Sequence, residues 1–387
     1  MKAFHQLATV QNILSVYKED QPLHRFLVQF YKKNKQMGSK DRKISSRLIY
    51  NYYRLGRALE ALQLQDRLLV AEFLCNQENS SYVEYYKPEW SAFLGNPITE
   101  KIEKVKDSYP AFSLKAIFPF IDHLSAGIDS NAFLLSQFVQ PDLFVRVKRR
   151  AVADFEFRLR QQEVNYQKLA ETTFSFKNGT KLEQLIPEKG IYEIQDWSSQ
   201  KAGTFFKPQK WDKWWDCCAA SGGKSLMLLD EQPDVKLLVS DIRESILENL
   251  NERFIQAGIK GFQTKMLDLT QNPSVFLHDY EFDGIILDAP CSGSGTWGRT
   301  PEMIAQFESS KIQFFQDLQR KIVSNVIPYL KQEKPLIYIT CSVFSEENEE
   351  QVEWMTKQFG LKVENQEIIK GYEHKADSMF VARLLKK

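Results

Sequence analysis

Two cysteines close apolar stretches fifty residues apart: Cys291 follows FDGIILDAP, and Cys341 follows PLIYIT. A single cysteine in an apolar strand is ordinarily an inert small hydrophobe. Two of them at the carboxyl ends of strands form another pattern, because ligands of open α/β sheets bind just beyond those ends. Asp288 stands three residues before Cys291. A thiol, an acid and a base converging on one point are the minimum set for chemistry at carbon 5 of a pyrimidine. That carbon is barely nucleophilic. Adding a thiolate to carbon 6 makes an enamine-like ring that attacks a methyl donor. The adduct must then lose its carbon-5 proton and expel the thiolate, and an acid near ring nitrogen 3 stabilises it. Asp288, Cys291 and Cys341 are the candidates for this set.

A second group of residues reads as a cofactor site. The stretch Asp216-Cys217-Cys218-Ala219-Ala220-Ser221-Gly222-Gly223-Lys224 puts small residues and two glycines at a strand-to-helix turn, where backbone can approach a ligand closely. It is neither G-x-G-x-x-G nor the phosphate loop G-x-x-x-x-G-K-[ST], so pyrophosphate binding is poorly supported. The next two strands end on Asp241 and Asp268. A carboxylate beyond the second strand is placed for ribose hydroxyls, and one beyond the third for an adenine amino group. Asp is also a common helix cap, which is the plain alternative for either one. Three such strand ends in series favour a nucleoside-containing cofactor, and S-adenosylmethionine over NAD.

The elements that must carry these residues lie in the last part of the chain. From about residue 210, short apolar strands alternate with helical stretches, the signature of a parallel sheet covered on both faces. Residues 1–115 read as helical. In DRKISSRLIYNYYRLGRALEAL the apolar positions Ile44, Leu48, Tyr52, Leu55, Leu59 and Leu62 make one face, with Arg42, Lys43, Arg47, Arg54 and Arg57 over the remainder. Residues 116–205 read as a small α+β domain, with a strand in PDLFVRVKRR, a helix in AVADFEFRLRQQE and a hairpin turning on Asn178-Gly179. Residues 206–387 complete the expected three-domain order. The net charge is only +1, but residues 1–60 hold twelve Lys or Arg against four Asp or Glu, and RVKRR occupies 146–150. Basic patches on a neutral whole point to a polyanionic partner such as nucleic acid. The five cysteines include no C-x-x-C pair, which argues against a disulfide framework or a metal site and fits a reducing cytoplasm. No apolar run is long enough for a membrane span, and the N-terminus lacks the pattern of a signal peptide.

Several segments in order resemble the Sun-type (RsmB-like) family of RNA cytosine-5 methyltransferases: QDWSSQ, CAASGGK, SDIRESILENLNERF, LDAPCSGSGTWGRTPE, YITCSVFSEENEEQV and DSMFVA. GSKDRKISSRLIYNYYRLGRALE also resembles the helical NusB-like RNA-binding domain of bacterial members. The resemblance implies a Rossmann-like domain with a mixed, mostly parallel seven-stranded sheet, preceded by the all-α and the small α+β domain. It implies Cys341 as nucleophile, Cys291 as the group that assists release, and Asp288 against the cytosine and beside the cofactor. It assigns S-adenosylmethionine to Cys218, Ala219, Ala220, Ser221, Gly222, Gly223 and Lys224 with Asp241 and Asp268. It implies a monomeric enzyme with an RNA partner, ribosomal RNA first and transfer RNA second, and no metal. Lys224 is the candidate for lowering the Cys341 pKa. The chain departs from the family at Ser221, which replaces the usual proline, at the single Arg299 before Thr300-Pro301, and at Lys148 in Arg-Val-Lys where many members have Arg-Val-Asn.

Three other functions compete. An amino-group methyltransferase would present an aromatic residue where Cys291 stands. A DNA cytosine methyltransferase would use the Pro-Cys cysteine as nucleophile, against which the Thr-Cys motif and the helical front argue. A non-catalytic RNA-binding assembly factor would have no need of Asp288, Cys291 and Cys341 together.

Overall fold

Alternation along the strands of the second half sorts side chains onto two faces of one sheet. Trp214, Leu237, Val239, Ile286, Ile337 and Ile339 are buried in one core, while their neighbours Trp215, Leu238, Ile285, Leu287, Leu336 and Tyr338 are buried in another. Successive residues of a strand point to opposite faces, so a run that is apolar at every position is covered on both sides. One core is closed by the helices Gly223–Glu231 and Glu244–Gln256 through Leu226, Leu250 and Phe254. The other is closed by Ser310–Val326 and Glu349–Phe359 through Ile322, Val326, Val352 and Met355.

The computed structural model describes residues 2–188 and 190–387. Its strands are β1 (Leu143–Val147), β2 (Gln167–Lys168), β3 (Thr173–Phe176), β4 (Tyr192–Ile194), β5 (Lys213–Asp216), β6 (Lys236–Asp241), β7 (Gln263–Met266), β8 (Gly284–Asp288), β9 (Pro335–Thr340), β10 (Lys362–Ile369) and β11 (Met379–Leu385). The large sheet has seven strands in the order β10-β11-β9-β8-β5-β6-β7. Its pairs from β9 to β7 are parallel, and β11 is antiparallel to both β9 and β10. This is the mixed, mostly parallel, seven-stranded Rossmann-like sheet expected from the sequence. Register between β8 and β9 sets Asp288 opposite Ile339, so the turns after both strands open at one edge. A separate four-stranded antiparallel sheet has the order β2-β3-β1-β4.

The chain divides into two units. The first comprises residues 1–122, 129–140 and 297–308, and the second comprises 123–128, 141–296 and 309–387. The division expected from sequence had three parts, with boundaries at 115/116 and 205/206. The small sheet instead belongs to the same unit as the large one.

The first unit is helical, with its core on Leu48, Ile49, Leu68, Phe73, Tyr82 and Trp90. Its helix Ser39–Arg54 stops before the expected face is used up. Gly56 sits at φ +51°, where a Cβ would meet the Ile117 carbonyl oxygen at 1.9 Å. Two of the arginines assigned to the polar face are structural. Arg54 is buried and donates to the carbonyls of Gln137 and Gly298 and to Gln140 Oε1, each at 2.8 Å. Arg47 donates to the buried Glu72 carboxylate at 2.7 Å. Within residues 1–60 the exposed positive charge is carried by Lys2, Lys18, Arg25, Lys32, Lys33, Lys35, Lys40, Lys43 and Arg57.

Two local expectations fail. The turn at Asn178-Gly179 exists, with Gly179 at φ +85°, but it leads into the short helix Leu182–Leu185 rather than a second strand. Leu182 is buried and Leu185 lies three residues on, a helical spacing that the Asn-Gly signal masks. β10 escapes sequence reading because KVENQEII is polar. It lies at the sheet edge with β11 as its sole neighbour, and most of its residues are exposed.

Candidate active site

β8 and β9 deliver the two cysteines to one point. Cys291 Sγ lies 3.3 Å from Cys341 Sγ, and both thiols are free. Each is followed by a serine, and the hydroxyls of Ser292, Ser294 and Ser342 bond one another at 3.1 to 3.2 Å. Behind them lies Glu347, fully buried. Its carboxylate accepts from the Ser292 amide at 2.9 Å, the Ser342 hydroxyl at 2.7 Å and Gln319 Nε2 at 3.0 Å. One side chain therefore ties the turn after Cys291 to the turn after Cys341. Burial pushes the Glu347 carboxyl above the usual range, opposed by these hydrogen bonds. The Cys291 thiol is raised first by its hydrogen bond to Cys341, then by burial and by the nearby Glu347. Gly295 completes the frame: its amide donates to the Cys341 carbonyl and its carbonyl accepts from the Ser378 amide, both at 2.9 Å. A Cβ there would meet Ser378 O at 2.0 Å and Cys341 O at 3.0 Å.

Asp288, at the end of β8, faces Lys224. The ammonium donates to Asp288 Oδ2 at 3.0 Å and to Ser199 Oγ at 2.8 Å. The Lys224 charge is thus engaged by the carboxylate that ends β8. Asp216, which opens the cofactor stretch but carries no role in the sequence-based expectation, ends β5 just before the same turn. It is fully buried; Oδ2 accepts from Ser225 at 2.6 Å, and Oδ1 has no partner. Burial raises it to about 7, with the charges of Asp288 and Asp241 adding to the rise.

The turn Cys217–Gly222 is pinned to β6: Ser240 Oγ donates to Cys217 O, and the Ala219 amide to Ser240 O, both at 2.9 Å. Gly222 has φ +82°, and a Cβ would meet Phe254 Cε1 at 2.6 Å, so only glycine fits against the helix below. Ala220 also has positive φ, +46°. Ser221 compensates for the missing proline through Arg253, whose Nη1 donates to its carbonyl at 3.0 Å and its hydroxyl at 3.1 Å. Arg253 is itself held by Glu193. Asp241 is buried at the end of β6. It accepts from the amides of Ala220 (3.2 Å) and Arg243 (3.0 Å) and from the exposed Arg243 guanidinium.

Asp268 stands apart in its bonding. It is exposed, and Oδ1 accepts from the amide and hydroxyl of Thr270, its own turn, which lower its pKa. Trp297, quoted in the Pro-Cys segment, belongs to the first unit, where it is buried against Phe118, Phe120 and Phe307. The signal for Glu347 was in plain view in SEENEEQV; an acid run reads as a solvated helix start until its first turn is seen to be buried. Among the described residues no group of three or more His, Cys, Asp or Glu is placed to hold a metal.

With this geometry in hand, residues 203–385 match the model of the 16S rRNA methyltransferase RsmB/F family. Ribosomal RNA small subunit methyltransferase B of Enterobacter sp. (strain 638) is 34% identical over 171 residues, 44% of this chain and 40% of that protein. The protein of the same name from Shewanella oneidensis is 31% identical over 209 residues, 51% of this chain and 48% of that protein. The chain thus spans under half the length of these curated relatives. Among solved structures, that of PH0851 covers 100% of this chain and 99% of its own at TM-score 0.72 and 19% identity. A methyltransferase homolog from Pyrococcus horikoshii covers 74% of this chain and 98% of its own at TM-score 0.60 and 22% identity. NSun6 from Pyrococcus horikoshii, solved with SFG, covers 69% of this chain and 97% of its own at TM-score 0.60 and 16% identity. At these identities the likeness is one of fold. The stretch matched by the family model, residues 203–385, contains every residue of the two candidate clusters except Ser199 and Glu193.

Proposed function

We propose that the chain methylates carbon 5 of a cytosine in RNA, with small-subunit ribosomal RNA as substrate, working as a monomer in the cytoplasm. The observation that carries this reading is the pair of thiols 3.3 Å apart at the ends of adjacent parallel strands, beside the acid that ends the first of them. The names of the curated relatives support the choice of RNA. The loop Cys218–Lys224 suits S-adenosylmethionine: it is small, closely backed at Gly222 and bordered by the buried Asp241. Ribose hydroxyls would replace the exposed Arg243 guanidinium on Asp241 and leave the two amide bonds intact. The exposed carboxylate of Asp268 would reach the adenine amino group. When bound, the cofactor supplies the methyl group.

The remaining steps belong to side chains of this chain. Cys341 attacks carbon 6 as the thiolate, and the Cys291 thiol, kept protonated by its raised pKa, donates a hydrogen bond to it. Asp288 contacts the cytosine ring and is held in place by Lys224. After transfer, a water molecule takes the carbon-5 proton, the electron pair of that C–H bond re-forms the carbon-5–carbon-6 double bond and expels Cys341 as the thiolate, and Cys291 assists that release by hydrogen-bonding the departing sulfur. The target base must be unpaired or turned out of its stack to come within reach of both thiols.

The test uses labelled S-adenosylmethionine and small-subunit RNA from cells lacking the gene. Cys341→Ala should neither transfer methyl nor form a covalent adduct. Cys291→Ala should accumulate a protein–RNA band that survives denaturing gels, needs the cofactor and vanishes in the double variant. An inactive wild type would sink the reading, and a band with Cys341→Ala instead would exchange the two roles.

A further inference from the structure

A cavity of about 990 Å³ lies in the second unit beside the helix Gly223–Glu231, outside the residues assigned above. Its lining carries five basic side chains, Arg146, Lys148, Arg149, Arg150 and Lys201, against the acids Asp230 and Glu231. Arg146 forms the buried base of this group, at 8% exposure. Its Nε donates to Gln195 Oε1 at 2.8 Å, its Nη1 pairs with Asp230, and its buried Nη2 has no hydrogen-bond partner among the described residues. A guanidinium fixed on two sides with a spare donor is set to receive an anion. Arg149 is highly exposed, and its contact to Glu171 is a loose surface pair at 3.5 Å. Neither Lys148 nor Arg150 has a carboxylate partner among the described residues. Burial pushes the Glu231 carboxyl upward.

The cavity is tied to the cofactor turn by a continuous set of bonds. Gln195, which holds Arg146, donates through Nε2 to Ser199 Oγ at 3.1 Å and to Gly223 O at 3.5 Å. Ser199 in turn accepts from Lys224, the partner of Asp288. A metabolite anion would need few basic groups. Lys201 is paired with Glu367, but the consecutive Lys148, Arg149 and Arg150 beside the spare donor of Arg146 match the repeating charge of a nucleic-acid strand.

We propose that this cleft holds the sugar–phosphate backbone of the RNA strand that carries the target base, with phosphates on Arg149 and Arg150 and one against the Arg146 guanidinium. The inference rests on the RNA methylation reading and adds a contact surface to it. Its chemistry is ionic, so it should appear in the salt dependence of binding.

The decisive experiment compares the full-length wild type with Arg149→Ala/Arg150→Ala on a small-subunit ribosomal RNA transcript across a salt series. Both arginines are exposed, so the variant should fold, and unchanged thermal unfolding and S-adenosylmethionine titration check that. Each phosphate contact on a single strand contributes roughly 0.7 to the slope of log affinity against log salt. The slope should therefore fall by about 1.4, with RNA KM raised about tenfold and kcat at saturating RNA unchanged. An unchanged slope and KM in the variant, beside an active wild type, overturns the cleft and leaves the methylation reading standing. A wild type that transfers no methyl to any RNA removes the methylation reading itself.

Discussion

Asp216 offers a quantitative check on the electrostatics beneath the cofactor turn. The perturbation is Asp216→Asn, which keeps the shape of the acid and the bond from Ser225 but cannot ionise. Asp216 is fully buried with Oδ1 unpartnered, and burial holds its pKa near 7 against 3.8 for the free side chain. A carboxyl raised in the folded state leaves stability intact below about pH 4, where it is protonated in both states. As pH rises from there, the unfolded chain ionises first, and stability falls until the folded group also ionises near pH 7. At about 1.4 kcal/mol per pH unit, the gap between 3.8 and about 7 amounts to on the order of 4 kcal/mol. The variant escapes that loss. Urea unfolding of both proteins, followed by the fluorescence of the buried Trp214 and Trp215, should give nearly equal stabilities at pH 4. The variant should gain steadily to pH 7.5. A difference that does not change with pH, or a variant that loses ground as pH rises, would refute the reasoning.

Gly295→Ala forces a methyl into the carbonyls of Ser378 and Cys341; by the usual cost of overpacking it should lose about 1–3 kcal/mol of stability. Its methyl-transfer rate should fall far more than its cofactor affinity, as measured by single-turnover kinetics beside calorimetric titration. Glu347→Ala strips the acceptor from the Ser292 amide and Gln319, at about 1–3 kcal/mol for each stranded donor, and frees the two cysteine turns from each other. Chemical denaturation should register the loss and Glu347→Gln should restore most of it, since the amide oxygen can still take those donors.

How much of this was legible in the sequence depends on the range of the interaction. The strands that carry Asp216, Asp241, Asp288 and Thr340 are apolar at nearly every position, and burial on both faces makes such runs readable without a structure. The meeting of Cys291 and Cys341 was also accessible, because parallel strands end at one edge and both cysteines follow strand ends. The roles of Glu347, Arg253 and Arg54 were hidden: each is a charged residue in a helix or helix start, where solvent exposure is the ordinary expectation. Only distant partners turn them inward, namely Ser292 for Glu347, Ser221 for Arg253 and Gly298 for Arg54. β10 was hidden for the opposite reason, since an edge strand needs few apolar residues.

The first unit takes its last segment, residues 297–308, from far down the chain. Arg54, buried from the start of the chain, finds one of its carbonyls at Gly298, and Phe118 and Phe120 pack on Trp297. During synthesis at about 5–20 residues per second, the ribosome needs roughly ten to thirty seconds after Gln140 to deliver that segment. Through this interval the helical front is a nascent body with an open seam and a guanidinium short of an acceptor. It becomes complete only after the cofactor turn and the Pro-Cys strand have left the exit tunnel. A sequence cut at residue 115 or 122 would preserve every helix before it and still yield a piece that cannot close.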